Sequence, residues 1–315
     1  MYVSIFIRNI ERESDSSVPC IIYSINAVNA ESLSRHSITA VLTVGRNILD
    51  DKSFLSEKNI AHMVIAIDDE EDVDFMAELE DVLSFIDTQL ATDNGRVLVH
   101  CHAGVSRSAA ITCAYLMRKE SLSVEDALEK IRQNHPTACP NDGFLRQLSL
   151  FERMSWKIDS DNAYYCYYLS QLMAQRRLEG YNVTEQELSA TEKAKSVGDT
   201  TYRCRSCRKE LFAQKQAIPH ETGKGQEAFT WYKRNDRYDK NAPPTDMCSS
   251  HFLVPIKWMA QAIVGDGVYD GKLSCDNCSA KIGSFNWSGA QCSCGAWVSP
   301  AFQVNKAKVD GIIKM

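Results

Sequence analysis

The sequence predicts an α/β domain, a central sheet flanked by helices, followed by a small, mainly β domain built around paired cysteines. Three observations predict it. Short apolar strands alternate with helical segments through the first half of the chain. One cysteine and one arginine bracket a short loop between such a strand and such a helix. Seven of the twelve cysteines lie beyond residue 199, six of them as close pairs.

The elements follow in order. Residues 39–44 and 61–67 are apolar, β-branched runs that read as core strands. Residues 75–90 place Phe75, Leu79, Val82, Leu83, Phe85, Ile86 and Leu90 at helical spacing. Residues 96–99 read as a buried strand and 109–117 as a helix. Ser123, with Asp126 three residues on, caps a further helix that must stop before His135-Pro136. A last helix is expected from about Asp142 through Trp156.

The loop itself reads His100-Cys101-His102-Ala103-Gly104-Val105-Ser106-Arg107-Ser108. Between a strand and a helix N-terminus, such a loop can aim successive N–H groups inward as an anion nest. Those donors and the helix dipole favour thiolate at Cys101, the nucleophilic form. Arg107 can grip two phosphoryl oxygens with its planar fork. Gly104 supplies backbone freedom where the loop curls, and the Ser108 hydroxyl is placed to assist departure of the cysteine sulfur.

This segment resembles the signature of the cysteine-dependent protein phosphatases, in their small dual-specificity branch. The resemblance implies Cys101 as nucleophile and residues His102 to Arg107 as the phosphate-binding loop. It also implies a general-acid aspartate on a loop after the preceding strand. In the run Ile67-Asp68-Asp69-Glu70-Glu71-Asp72, Asp68 matches best. Asp69 is the alternative, and a purely electrostatic role for the run is the third reading. The segment Pro140-Asn141-Asp142-Gly143-Phe144 makes Asn141 a support for the loop, beside its ordinary value as a helix cap. His100 is placed to orient the loop or tune Cys101. Cys113 and Cys139 read as packed thiols rather than redox partners of Cys101. A loop without lysine implies a single phosphate on a protein side chain. Lacking the Trp-Pro-Asp acid loop of tyrosine-specific relatives, the chain by this resemblance is expected to have a shallow cleft, open to phosphoserine and phosphothreonine as well as phosphotyrosine.

In the second half, Cys204/Cys207, Cys275/Cys278 and Cys292/Cys294, with Cys248, have the spacing of metal knuckles. With one histidine they make eight ligands, enough for two closed, structural Zn²⁺ sites on which a domain with a small core depends to fold. His251, three residues after Cys248, is favoured by local spacing; His220 matches a histidine position of the family and is preferred. Sequential and cross-braced pairings of these ligands use the same residues. Trp258, Trp287 and Trp297 read as core aromatics. The expected organisation is a phosphatase domain over 1–157, a helical linker over 158–198 and a zinc-binding domain over 199–315.

At 315 residues the chain is long enough for two cores. No apolar run reaches the ~18–20 residues of a membrane span, and no cleavage-like site follows the N-terminus. Clustered thiols suit a reducing compartment. The net charge of −6 is uneven: residues 199–315 carry 16 Lys and Arg against 11 Asp and Glu, the remainder 19 against 30. Seven cysteinates around two Zn²⁺ would bring the C-terminal +5 down to +2. A basic C-terminal part hints at an acidic partner such as RNA or a ribosomal particle.

Together the two halves resemble the atypical dual-specificity phosphatases of the phosphatase 12 type, over nearly the whole chain. That resemblance implies a part in assembling the large ribosomal subunit, with the zinc domain docking on the pre-ribosomal particle and the protein moving between nucleus and cytoplasm. Two readings stand at this stage. In one the chain is a working phosphatase for phosphoprotein substrates. In the other it is an assembly factor in which catalysis is accessory.

Overall fold

A computed structural model of the chain describes residues 20–24, 28–46, 53–159, 162–184, 187–188, 200–220 and 248–313. They fall in two compact units, Met1–Ile158 and Asp159–Met315. No described helix is long and apolar enough to cross a membrane.

The first unit is built on a four-stranded, all-parallel sheet. Its strands are β1 (Cys20–Ser24), β2 (Ala40–Val44), β3 (Ala61–Ile65) and β4 (Val97–Cys101), in the order β1-β4-β2-β3. Every residue of β2 and β4 is buried, as expected of strands covered on both faces. Helices α1 (Ala30–Arg35), α2 (Ser53–Glu57) and α3 (Leu79–Leu90) connect the strands. In α3 the residues Leu79, Val82, Leu83, Ile86 and Leu90 form the buried stripe.

After β4 come α4 (Arg107–Glu120), α5 (Val124–Asn134) and α6 (Asp142–Arg153). From Ser108 to Met117 every side chain of α4 is buried, because the helix packs against β4, α5 and α6 at once. The α5 cap is as expected: Ser123 Oγ accepts from the Asp126 N–H and donates to its carboxylate. Helix α5 ends at Asn134, before His135-Pro136.

Several boundaries differ from expectation. The helix expected from Phe75 opens as a single 3-10 turn, Met76–Glu78, before α3. Strand β3 stops at Ile65, so residues 66 and 67 already belong to the loop. Helix α6 ends at Arg153 rather than Trp156. Ser155 and Trp156 take left-handed φ values of 56° and 59°, and the indole N–H donates to the Leu122 carbonyl instead of continuing the helix.

The second unit begins with α7 (Ala163–Leu178), the helix expected in a linker. Its Cys166 and Ala174 lie in the same apolar core as Phe252, Phe285, Trp287 and Phe302, and Tyr167 Oη donates to the Ser299 carbonyl. Arg177, buried, donates to the Gly265 and Val268 carbonyls. The helix is therefore part of the C-terminal unit, not a connector. The boundary expected at 198/199 lies outside the described residues.

Small antiparallel sheets, with short helical turns between them, make up the rest of the described residues. Strands β5 (Thr200–Cys204), β6 (Glu210–Ala213) and β13 (Val309–Ile313) form one, in the order β13-β5-β6. Strands β7 (Ser250–Leu253), β8 (Asp270–Ser274), β9 (Lys281–Asn286) and β12 (Ala301–Asn305) form another, in the order β7-β12-β9-β8. Strands β10 (Ala290–Gln291) and β11 (Trp297–Val298) pair as a ribbon. Trp287 is fully buried and Trp258 packs against the core, but Trp297 is 66% exposed and is not a core residue.

Candidate active site and candidate metal centres

Strand β4 delivers Cys101 to the carboxyl edge of the parallel sheet, where open α/β folds bind ligands. Residues 102–106 turn over it into the first turn of α4, which starts at Arg107. The Cys101 sulfur is buried; it receives the Gly104 N–H at 3.3 Å and lies 3.2 Å from Ser108 Oγ. Gly104 has φ +74°, the left-handed turn for which a glycine was expected. His102 and Ala103 are exposed at the mouth of the loop.

A second segment fixes the loop from behind. The His135 ring nitrogen Nε2 lies 2.6 Å from the Gly104 carbonyl and so must carry a hydrogen. The Cys139 N–H donates to the Val105 carbonyl at 2.8 Å, and the Asn141 N–H to Ser106 Oγ at 3.1 Å. Carbonyls held outward by these donors leave the loop N–H groups turned to the opposite side, which is what an anion nest requires. His135 was legible only as a helix stop; its contact spans 31 residues and has no local pattern.

The acid-rich loop closes the other side. Arg107 Nη1 donates to the Ile67 carbonyl at 3.3 Å. Its Nε lies 3.4 Å from Asp69 Oδ2, an ion pair rather than a hydrogen bond. Asp69 Oδ1 also accepts from Ser106 Oγ at 2.6 Å and from Asn141 Nδ2 at 3.0 Å. Asp69 is thus committed to the loop that follows Cys101. Asp68 instead is half exposed and meets only Arg46 Nε, at 3.2 Å, among the described contacts.

Asn141 caps α6 through its Oδ1 at the Phe144 N–H, its Nδ2 reaches Asp69 on the acid loop, and its contact with the Cys101 loop is made by its backbone N–H to Ser106. Buried Gln147 goes unremarked in the sequence. Its Oε1 accepts from the Phe75 N–H and its Nε2 donates to the Val73 carbonyl, tying the end of the acid loop to α6.

His100 is fully buried, and burial pushes it down to about 4, so its ring is neutral. Cys113 is the packed thiol expected, pushed up to about 12 by burial. Cys139 is exposed, contrary to expectation, because only its backbone is used in holding the loop.

In the second unit eight side chains gather into two groups of four. Cys204, Cys207, Cys275 and Cys278 form one; His220, Cys248, Cys292 and Cys294 form the other, with ligand atoms within 4.8 Å of one another in each. The pairing is cross-braced: the β5–β6 knuckle joins the β8–β9 knuckle across the chain. Sulfurs of Cys204 and Cys278 are 3.8 Å apart, and those of Cys207 and Cys275 3.6 Å. A disulfide needs about 2.05 Å. A tetrahedron with metal–sulfur arms of about 2.3 Å has edges near 3.8 Å, which the sulfurs match. The 3.5 Å from Cys248 Sγ to His220 Nε2 fits a mixed site equally well. Each group can hold a metal ion. His251 stands outside both, packed against Tyr202 (tilted) and Phe212 (edge-on) with ring centroids 4.5 and 5.6 Å away, and burial lowers it to about 4.

A family profile described as "Dual specificity phosphatase, catalytic domain" matches residues 20–154. The human protein "Dual specificity protein phosphatase 12" is 36% identical over 283 residues, covering 89% of this chain and 82% of the relative. The Saccharomyces cerevisiae "Tyrosine-protein phosphatase YVH1" is 32% identical over 256 residues, covering 75% and 69%. Among solved structures, the Yvh1 phosphatase domain from Chaetomium thermophilum is 30% identical with a TM-score of 0.43, covering 50% of this chain and 99% of that one.

Proposed function

The chain belongs to the dual-specificity protein phosphatase 12 family, and from that premise we propose that it removes single phosphates from tyrosine, serine and threonine side chains of proteins through a phosphocysteine intermediate. The observation that carries this reading is the Cys101 sulfur against the Gly104 N–H, with Ser108 Oγ beside it and the Arg107 guanidinium held at the far end of the same loop.

In the first step Cys101 Sγ attacks phosphorus and the bond to the leaving oxygen breaks. Asp68 gives that oxygen its proton. The loop N–H groups and Arg107 hold the equatorial oxygens as their charge shifts. Water then attacks phosphorus, Asp68 takes its proton and the sulfur–phosphorus bond breaks, with the Ser108 hydroxyl donating to the departing sulfur. Inorganic phosphate leaves. Asp68 is preferred as the acid because Asp69 already serves Ser106, Asn141 and Arg107. Neither histidine beside Cys101 is needed as a base.

In the C-terminal unit we assign Zn²⁺ to both four-ligand groups, since thiolate and imidazole at tetrahedral spacing suit that ion. Closed sites of this kind are structural. The unit then serves as a docking module, with a pre-ribosomal large-subunit particle as partner and both nucleus and cytoplasm as its compartments. The excess of basic residues in 199–315 and the kinship to phosphatase 12 support that part. The competing reading makes the docking essential and the catalysis accessory.

Complementation of a null strain separates them. The fragment to use is 159–315, because α7 belongs to the C-terminal core. Rescue of ribosome maturation by Cys101→Ser or by the fragment makes catalysis accessory. Failure of both makes hydrolysis the physiological activity.

A further inference from the structure

Parallel pairing of the central strands sets a row of polar side chains on one buried face of the sheet. Thr43 on β2 is in register with His100 on β4 and with Val64 on β3, two residues beyond His62. Side chains two apart share a face, so His62, Thr43 and His100 line up across the strands. Thr43 Oγ1 lies 2.8 Å from His62 Nε2 and 2.8 Å from His100 Nε2. Thr43 and His100 are completely buried, while His62 on the edge strand is partly exposed.

A hydroxyl has one hydrogen and two lone pairs. If both imidazoles donated to Thr43, its own hydrogen would be left inside the sheet without an acceptor, which costs roughly what any buried unpaired donor costs. Thr43 therefore donates to one ring and accepts from the other, and the two rings carry their Nε2 hydrogens alternately. His100 has a single ring hydrogen, since burial keeps it neutral, and the Cys101 backbone favours a hydrogen on that ring. Its Nδ1 is buried without a hydrogen bond of ordinary geometry. With Nε2 engaged by Thr43 Oγ1, Nδ1 is the ring nitrogen left for the hydrogen on the side of the Cys101 backbone.

We infer that His62 is a positioning residue for the phosphatase reaction. Its Nε2–H donates to Thr43, the Thr43 hydroxyl donates to His100 Nε2, and the hydrogen of His100 is thereby kept on Nδ1, beside the Cys101 backbone. The donor chain runs from the sheet edge to His100, the residue before the nucleophile, and a residue remote from the pocket sets which tautomer stands behind Cys101. The inference rests on Cys101 being the nucleophile.

The test is long-range ¹H–¹⁵N spectroscopy of the full-length, histidine-labelled protein, joined to steady-state kinetics on an aryl phosphate. Wild type should show His100 with hydrogen on Nδ1 and a bare Nε2. Thr43→Val and His62→Leu should each disturb that tautomer and lower kcat about fivefold with KM unchanged, the rate equivalent of one ordinary hydrogen bond. Thr43→Ser and His62→Gln keep a donor and should restore both readouts. A wild-type hydrogen on Nε2, an undisturbed tautomer in Thr43→Val, or a disturbed tautomer with unchanged kcat each overturns the inference. Cys101→Ser keeps the two readings apart: residual turnover there removes the nucleophile, while the tautomer still decides the relay.

Discussion

Gly143 gives the main chain of Glu71 its place: a β-carbon at 143 would stand 2.1 Å from the Glu71 carbonyl oxygen. The glycine at the start of α6 thus lets the acid loop lie directly on the helix. Arg146 to Glu71 at 3.0 Å and Gln147 to Val73 at 2.8 Å secure it there. Because the clash is with backbone, Gly143→Ala must move the loop that bears Asp68. The variant should lose about 1–3 kcal/mol of stability, as overpacked sites do. Turnover of phosphoserine peptides, whose leaving groups need a proton, should fall at least tenfold more than turnover of an activated aryl phosphate. Denaturant melts and paired assays on the two substrates check this.

The two aspartates should separate by what each supports. Asp68→Asn removes the proton donor and its charge pairing with Arg46 but no contact of the Cys101 loop, so it should slow poor leaving groups strongly, activated ones little, and leave vanadate binding intact. Asp69→Ala strips partners from Ser106, Asn141 and Arg107 at once. It should weaken vanadate binding at least tenfold and slow all substrates alike. Identical profiles for the two variants would contradict the division of labour.

Metal content gives a third expectation. Two zinc atoms per chain should be found by elemental analysis. His220→Ala should lower that to about one, whereas His251→Phe, which replaces a ring already packed on Tyr202 and Phe212, should keep both. Chelation should unfold the C-terminal unit first, because its small sheets hang on the two clusters.

Acid should destabilise the first unit through His100. Its folded value of about 4 lies below the ordinary 6.5 of the unfolded chain. The unfolded state therefore binds the extra proton between those values, and stability present above pH 6.5 is lost as pH falls towards 4. For a ring this buried the loss is on the order of 3 kcal/mol. His100→Asn should flatten that part of the pH–stability curve; an unchanged slope would remove His100 as its source.

The loop from Cys101 to Arg107 was legible because its pattern is local: a strand, a glycine able to take φ +74° and a helix start within nine residues. Its supports were not, since His135, Gly143 and Gln147 act across 31 to 74 residues and follow no period. The cysteines of the two candidate metal groups were legible by spacing, but His220 was not, since local spacing favours His251, and the cross-braced grouping is a property of the strand order. The place of α7 was hidden because Arg177 reaches the Gly265 and Val268 carbonyls, 88 and 91 residues on. Trp297 was misread because a tryptophan's composition says nothing of which side of a two-residue strand faces out.

The central claim is that the Cys101 sulfur takes the phosphoryl group. Rapid acid quench of the full-length enzyme during turnover of a labelled phosphopeptide, followed by peptide mapping, measures it directly. The label should be found on the peptide bearing Cys101 and build up when Ser108→Ala slows release of the sulfur. Undiminished turnover by Cys101→Ser, or a label carried by a histidine instead, would contradict the account.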